Sequence, residues 1–101
     1  IMLNDFILIK DYCERCNIEP DFILMLEEDG LIDITVVGES RCFPVAQLPE
    51  IERYVHLYYD LSINREGIGA VKHLLSQIDD LQEEVRRLQN ELRFYRSFEE
   101  E

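Results

Sequence analysis

The side chains with the clearest chemical potential are thiols and imidazoles. Cys13 and Cys16 form a C-x-x-C pair, Cys42 stands apart, and His56 and His73 are the two histidines. Such a pair can supply half of a zinc site. Tetrahedral zinc needs four N or S ligands, and a second close pair is missing here. Thioredoxin-type redox chemistry needs a βαβ setting, which this sequence does not suggest. The expectation is that Cys13 and Cys16 face the core from a short helix. Glu52 and His56 are four apart and could act as an acid–base pair, but one isolated pair reads first as a surface contact. His73 reads as a packed or exposed histidine. There is no glycine-rich phosphate loop and no G-x-S-x-G. No catalytic residue, metal ligand or cofactor site is expected, and the chain does not read as an enzyme.

Composition narrows the class further. The 101 residues allow one domain, or one small domain with an extension. Lys plus Arg total 10 against 22 Asp plus Glu, a formal net charge of -12. A chain this negative is repelled by phosphate backbones, so nucleic-acid binding would need a local basic patch. A hydrophobic content of 47% is ordinary for a globular chain. No apolar run approaches ~18 residues, so no membrane span is expected. The odd cysteine count, with no basic leader in Ile1 to Asp11, points to reduced thiols and a cytoplasmic location.

These residues must be carried by a series of short elements. Phe6-Ile7-Leu8-Ile9 reads as an edge strand or a packed lead-in segment. Lys10 to Cys16 reads as a helix, with Ile9, Tyr12, Cys13 and Cys16 at helical spacing. Asn17 tolerates the left-handed conformation and can end it. Pro20 suits the first turn of a second helix and Asp21 complements its dipole. Gly30 sits where a C-terminal glycine belongs, so this helix spans about residues 19–29. The β-branched run Leu31 to Val37, the turn Gly38-Glu39-Ser40 and Arg41-Cys42-Phe43 predict a β-hairpin. Residues 48–61 follow helical spacing through Ile51, Tyr54 or Val55, Tyr58 and Leu61. Asn64 is a good N-cap for a further helix.

That last helix is the clearest signal in the chain. From Arg65 to Phe98 there is no proline, and no glycine after Gly69. Leu74, Ile78, Leu81, Val85, Leu88, Leu92 and Tyr95 are spaced 4,3,4,3,4,3, the a/d pattern of a coiled coil. The apolar seam must be buried, and a homodimer through this helix is the economical answer. Packing against residues 48–61 would cover only its first half. Glu84 and Glu91 fall at g positions, a mild conflict in an antiparallel pair, so the helix direction stays open. Arg86, Arg87, Arg93 and Arg96, interleaved with Glu83, Glu84 and Glu91, read as i,i+4 surface pairs. Glu99-Glu100-Glu101 reads as a solvated tail. The organisation expected is residues 1–62 as a domain and residues 63–101 as a dimerisation helix with an acidic tail.

Helix, turn, helix, two-stranded wing, helix, long helix is the order of the MerR-type winged-helix domain, which the chain resembles over nearly its whole length. The likeness rests on Ile9 to Cys16, on Leu26-x-x-x-Gly30-Leu31-Ile32, on the wing turn at Gly38 and on the long terminal helix. The fold implied is mainly α with a small β-hairpin wing: a MerR-like winged helix-turn-helix plus a long C-terminal coiled-coil dimerisation helix. A narrower likeness follows. Asp60-Leu61-x-x-Asn64-x-x-Gly67-Ile68-x-Ala70-Val71 runs into Leu74-Leu75-x-x-Ile78-x-x-Leu81-x-x-Glu84. This resembles the chaperone-modulator family typified by CbpM. The resemblance implies a protein-interaction regulator that binds and inhibits the J-domain of a DnaJ/CbpA-like co-chaperone, and so modulates a DnaK-type chaperone. The alternative is a small MerR-type DNA-binding transcriptional regulator.

The charge pattern bears on that choice. A winged-helix DNA binder meets the duplex with the outward face of its second helix and its wing, and holds phosphates with Lys or Arg. From Cys16 to Ser40 there is no basic residue, but seven acids: Glu19, Asp21, Glu27, Glu28, Asp29, Asp33 and Glu39. With Ile23, Leu26 and Gly30 inward, Asp21, Leu24, Met25 and Glu28 point outward at ~100° per residue. The expected partner surface is therefore Asp21, Leu24, Met25, Glu27, Glu28 and Asp29, docking on a basic protein face. The J-domain surface implied by the resemblance is basic. The bland alternative is that these acids only keep the chain soluble.

Overall fold

Two short helices close against the sheet through caps already visible in the residues. The computed structural model describes residues 2–3 and 5–99, with side chains from residue 5. Helix α1 spans Ile9–Cys16 and helix α2 spans Pro20–Glu28. Asn17 adopts φ 56° and ψ 50°, and the Ile18 N–H donates to the Cys13 carbonyl at 3.0 Å. Gly30 ends α2 with φ +75°. Its N–H donates to Glu27 O at 2.9 Å, and the Leu31 N–H donates to Leu26 O at 2.9 Å. This double bond set is the Schellman arrangement. Gly30 is thus exposed as the left-handed cap and does not lie on the buried face of α2.

The sheet is larger than a wing. Strands β1 (Met2–Leu3), β2 (Phe6–Leu8), β3 (Thr35–Val37) and β4 (Ser40–Pro44) are antiparallel in the order β1-β2-β4-β3. Phe6–Leu8 is therefore an inner strand, paired with β1 on one side and β4 on the other. The wing is β3–β4, closed by Gly38-Glu39 with Val37 opposite Ser40. Gly38 at φ +66° supplies the positive φ that a two-residue hairpin turn needs. The predicted strand from Leu31 is cut short, and only Thr35–Val37 pairs. Ile32 turns into the core at 4% exposure. The Asp33 N–H donates to Gln47 Oε1 at 2.7 Å, and Gln47 Nε2 donates to Asp33 O at 3.0 Å. One side-chain amide thereby takes the place of a ladder step.

A 3₁₀ turn at Val45–Gln47 leads into helix α3, Leu48–Val55. The predicted helix to residue 61 changes pitch: His56–Asp60 form a π-helical turn, with the Leu61 N–H bonded to His56 O at 3.1 Å. The extra residue in that turn moves the register. Ile51 and Tyr54 are buried and Leu57 packs on the core, while Tyr58 and Leu61 face outward. Ser62, at φ 56°, and Ile63 connect to helix α4, Arg65–Glu99.

Chain contacts divide into two units, residues 1–69 and 70–101. The first holds the core: Ile9, Cys13, Ile18, Phe22, Ile23, Leu26, Ile32, Phe43, Ile51, Tyr54 and Ile68. Ile68 draws the first turn of α4 into that unit. Asn64 caps it, its side-chain oxygen accepting the Gly67 N–H at 2.8 Å. The second unit is the rest of α4. Glu100 and Glu101 of the expected tail lie outside the described residues; Glu99 is exposed. Among the described residues no helix is long and apolar enough to cross a membrane.

Candidate protein-interaction surface

The outward side of α2 is built by the same periodicity that buries its inner side. Phe22, Ile23 and Leu26 are 5%, 0% and 0% exposed and turn inward. Asp21, Glu27, Glu28 and Asp29 are exposed, whereas Leu24 and Met25 are half-buried. Met25 packs against the rim of the core. Leu24 lines a groove of about 550 Å³ between α1, the start of α2 and the wing, together with Ile9, Cys13, Ile18, Lys10 and Arg41. Lys10 and Arg41 lie outside the stretch that lacks basic residues, yet tertiary packing brings them, with Glu14, into the same groove as Leu24.

Two of the acids are already engaged. Arg65 Nε donates to Asp29 Oδ2 at 2.7 Å, Nη2 donates to Asp29 Oδ1, and Nη2 lies 3.4 Å from Glu28 Oε1. The guanidinium holds the Asp29 carboxyl below its usual value and is itself held further in its charged form. Nothing in the local sequence pairs Asp29 with a residue 36 positions away.

The thiols and imidazoles do not converge. Cys13 and Cys42 are buried and Cys16 is exposed, so only one member of the C-x-x-C faces the core. Burial pushes up the Cys13 thiol, and it pushes the neighbouring Tyr12 hydroxyl up to about 12. Among the described residues no three His, Cys, Asp or Glu side chains gather as a metal site. His56 Nδ1 lies 2.8 Å from Asp60 Oδ2, so its hydrogen-bond partner is one turn onward and not Glu52. Both Glu52 and His56 line a second groove of about 610 Å³ between α1 and α3. His73 is exposed.

On α4 the seven seam positions are all exposed in the single chain, from 47% at Ile78 to 64% at Leu81. Ile78, Leu81, Gln82 and Val85 enclose a shallow hollow on that face. Phe94 and Phe98 add to the apolar surface, with ring centroids 4.8 Å apart. Their aromatic type was the available signal, although both fall outside the a/d spacing. Arg87 bridges Glu84 and Glu91, with Nη1 2.6 Å from Glu91. Both g-position acids therefore share one cation along their own helix.

A helix-turn-helix, a glycine-turned wing and a long terminal helix define a winged-helix regulatory architecture. Residues 7–90 match the profile of the family described as MerR HTH family regulatory protein, and the chain belongs to that family. No curated protein and no solved structure gives a significant match.

Proposed function

We propose that this protein is a protein-interaction regulator of the CbpM-like, chaperone-modulating kind, which binds and inhibits the J-domain of a DnaJ/CbpA-like co-chaperone. The observation that carries the reading is electrostatic. All seven acids between Cys16 and Ser40 are exposed and no cation stands among them in the sequence, although the fold pairs Asp29 and Glu28 with Arg65. A family scaffold that reads DNA elsewhere with α2 and the wing presents here a face that repels phosphate and attracts a basic protein surface. The narrower sequence likeness from Asp60 to Glu84 agrees in naming such a partner. We further infer that two copies pair through the seam of Leu74, Ile78, Leu81, Val85, Leu88, Leu92 and Tyr95, since a continuous exposed apolar stripe needs a cover.

The test is co-purification with the organism's J-domain proteins, followed by a DnaK-type ATPase assay. The reading expects a complex and a loss of co-chaperone-stimulated turnover. Failure to bind any J-domain defeats it. Lys10 and Arg41, which line the same groove as Leu24, favour a second reading as a small DNA-binding regulator. Fluorescence anisotropy with duplex DNA decides between them. Micromolar binding that weakens steeply with salt would select the DNA reading.

A further inference from the structure

The π-helical turn His56–Asp60 presents a surface that neither the seam nor the face of α2 accounts for. Among the described residues outside α4, four large apolar or aromatic ones are exposed: Val36, Tyr58, Tyr59 and Leu61. Three of them sit together on this turn and its exit. Helical spacing in the sequence puts Tyr58 and Leu61 inward, and the change of pitch turns them out. π-turns are rare and concentrate at functional sites.

The two tyrosines are held in place. Phe22 packs on Tyr58 at 4.7 Å with the rings tilted by 34° and meets Tyr59 edge-on at 5.4 Å, and the two tyrosine rings lie 5.1 Å apart at 76°. The Glu19 N–H donates to the Tyr59 hydroxyl oxygen at 3.1 Å. The rings are therefore pre-ordered, and a partner would bind them at little entropic cost. Their chemistry is amphipathic: the partly exposed rings can meet cations and the hydroxyls can donate. The carboxylates of Glu19 and Asp60 are exposed, one adjoining the cluster and one within the turn. The one imidazole on the turn, His56, is paired to Asp60.

We infer that Tyr58, Tyr59 and Leu61, rimmed by Glu19 and Asp60, form the anchor for the basic face of the partner protein, with Lys or Arg side chains meeting the exposed parts of the tyrosine rings. This deepens the J-domain reading and rests on it; it moves the energetic centre of the contact from Met25 and Leu24 to the π-turn. Buried tyrosines dominate interface energies, whereas rim acids act mainly on association rate and salt dependence.

The experiment measures J-domain binding by calorimetry for the wild-type chain, for Tyr58→Ser with Tyr59→Ser, and for Glu19→Arg. Circular dichroism and sedimentation are run on each. Glu19→Arg leaves the backbone bond to Tyr59 in place, so it tests the surface even if the tyrosine pair proves necessary for folding. The expected result is at least about a ten-fold loss of affinity for the tyrosine pair, and for Glu19→Arg, which sets a cation against the partner's basic face, a smaller loss of more than about two-fold that deepens as salt is lowered. The folded and oligomeric states of Glu19→Arg stay unchanged. If the wild-type chain binds no J-domain, the functional reading fails and this inference with it. If wild type binds and both variants bind within about two-fold of it, the reading stands and this surface is wrong. If Glu19→Arg keeps its affinity or either folded variant changes the oligomeric state, the occupant is a second copy or lies elsewhere, and the inference is overturned.

Discussion

The guanidinium of Arg65, the first residue of α4, forks onto the carboxylate of Asp29, which caps the end of α2, with Nε 2.7 Å from Oδ2. Glu28 adds a longer contact to the same guanidinium. The pair ties the exit of the helix-turn-helix to the start of the terminal helix. Asp29 therefore has a task inside the chain before any partner arrives.

That tie gives a pH test. The Asp29 carboxyl is held below its ordinary value of 3.8 by Arg65. A lowered folded value means the stabilisation is present above the unfolded value and is lost as pH falls through the folded one. Asp29→Asn is expected to melt below wild type at neutral pH, with the difference closing once the solution is acidified below the ordinary carboxylate range. Both groups are solvent-accessible, so the effect is small and falls with added salt. Thermal melts at several pH values check this; a gap that does not depend on pH would contradict it.

Two glycines on the first turns of α4 should respond oppositely. A Cβ on Gly67 would lie 2.6 Å from Ile63 Cγ2 and 3.1 Å from Asn64 Oδ1. Ile63 is β-branched and stiff, and Asn64 holds the cap. Gly67→Ala should cost about 1–3 kcal/mol despite alanine's better helix propensity. Gly69 has nothing within 4 Å of such a Cβ. Gly69→Ala should stabilise by about 0.5–1 kcal/mol. Urea unfolding of both variants decides the sign.

The cap itself is separable from that packing. Asn64→Ala removes the oxygen that accepts the Gly67 N–H. Unfolding free energy should fall by about 1 kcal/mol. Asn64→Asp should retain most of it, because a carboxylate caps as well and favours the helix N-terminus.

Gln47 should behave as a structural bridge. Both of its amide hydrogen bonds go to the Asp33 backbone. Gln47→Leu keeps the size but leaves that backbone to water, and should cost about 1–2 kcal/mol. Faster amide exchange at Asp33 is the accompanying signature.

The seam predicts an oligomeric state. Leu81→Glu with Leu88→Glu places charge on two of the exposed apolar positions of α4. Analytical ultracentrifugation should find wild type as a dimer and the variant as a monomer, with residues 1–69 still folded by near-UV circular dichroism. A monomeric wild type would remove the proposed pairing.

Sequence reading succeeded where the determinants are close in the chain. Asn17, Pro20, Gly30, Gly38 and Asn64 act on backbone groups within a few residues, so helix ends and the hairpin turn could be placed from residue type. It erred where burial is decided by a distant neighbour. The run from Leu31 has strand composition, but Ile32 is needed in the core and Gln47 bonds the Asp33 backbone. Cys16 shares helical spacing with Cys13 yet falls on the open side of α1. Within the candidate surface, the four acids of α2 and its cap proved exposed, while the half-burial of Leu24 and Met25 depends on the surrounding core.

By itself the sequence determined the order of elements, the long apolar-striped helix and the acidity of the stretch from Cys16 to Ser40. Each of these is a property of spacing or charge, which short-range geometry preserves. Only the tertiary structure decided that Asp29 is bound by Arg65, that Lys10 and Arg41 share a groove with Leu24, and that a π-turn sets Tyr58 and Tyr59 on Phe22. The reason is physical: each of these arrangements joins residues far apart in the chain, and such pairings exist only once the core has packed.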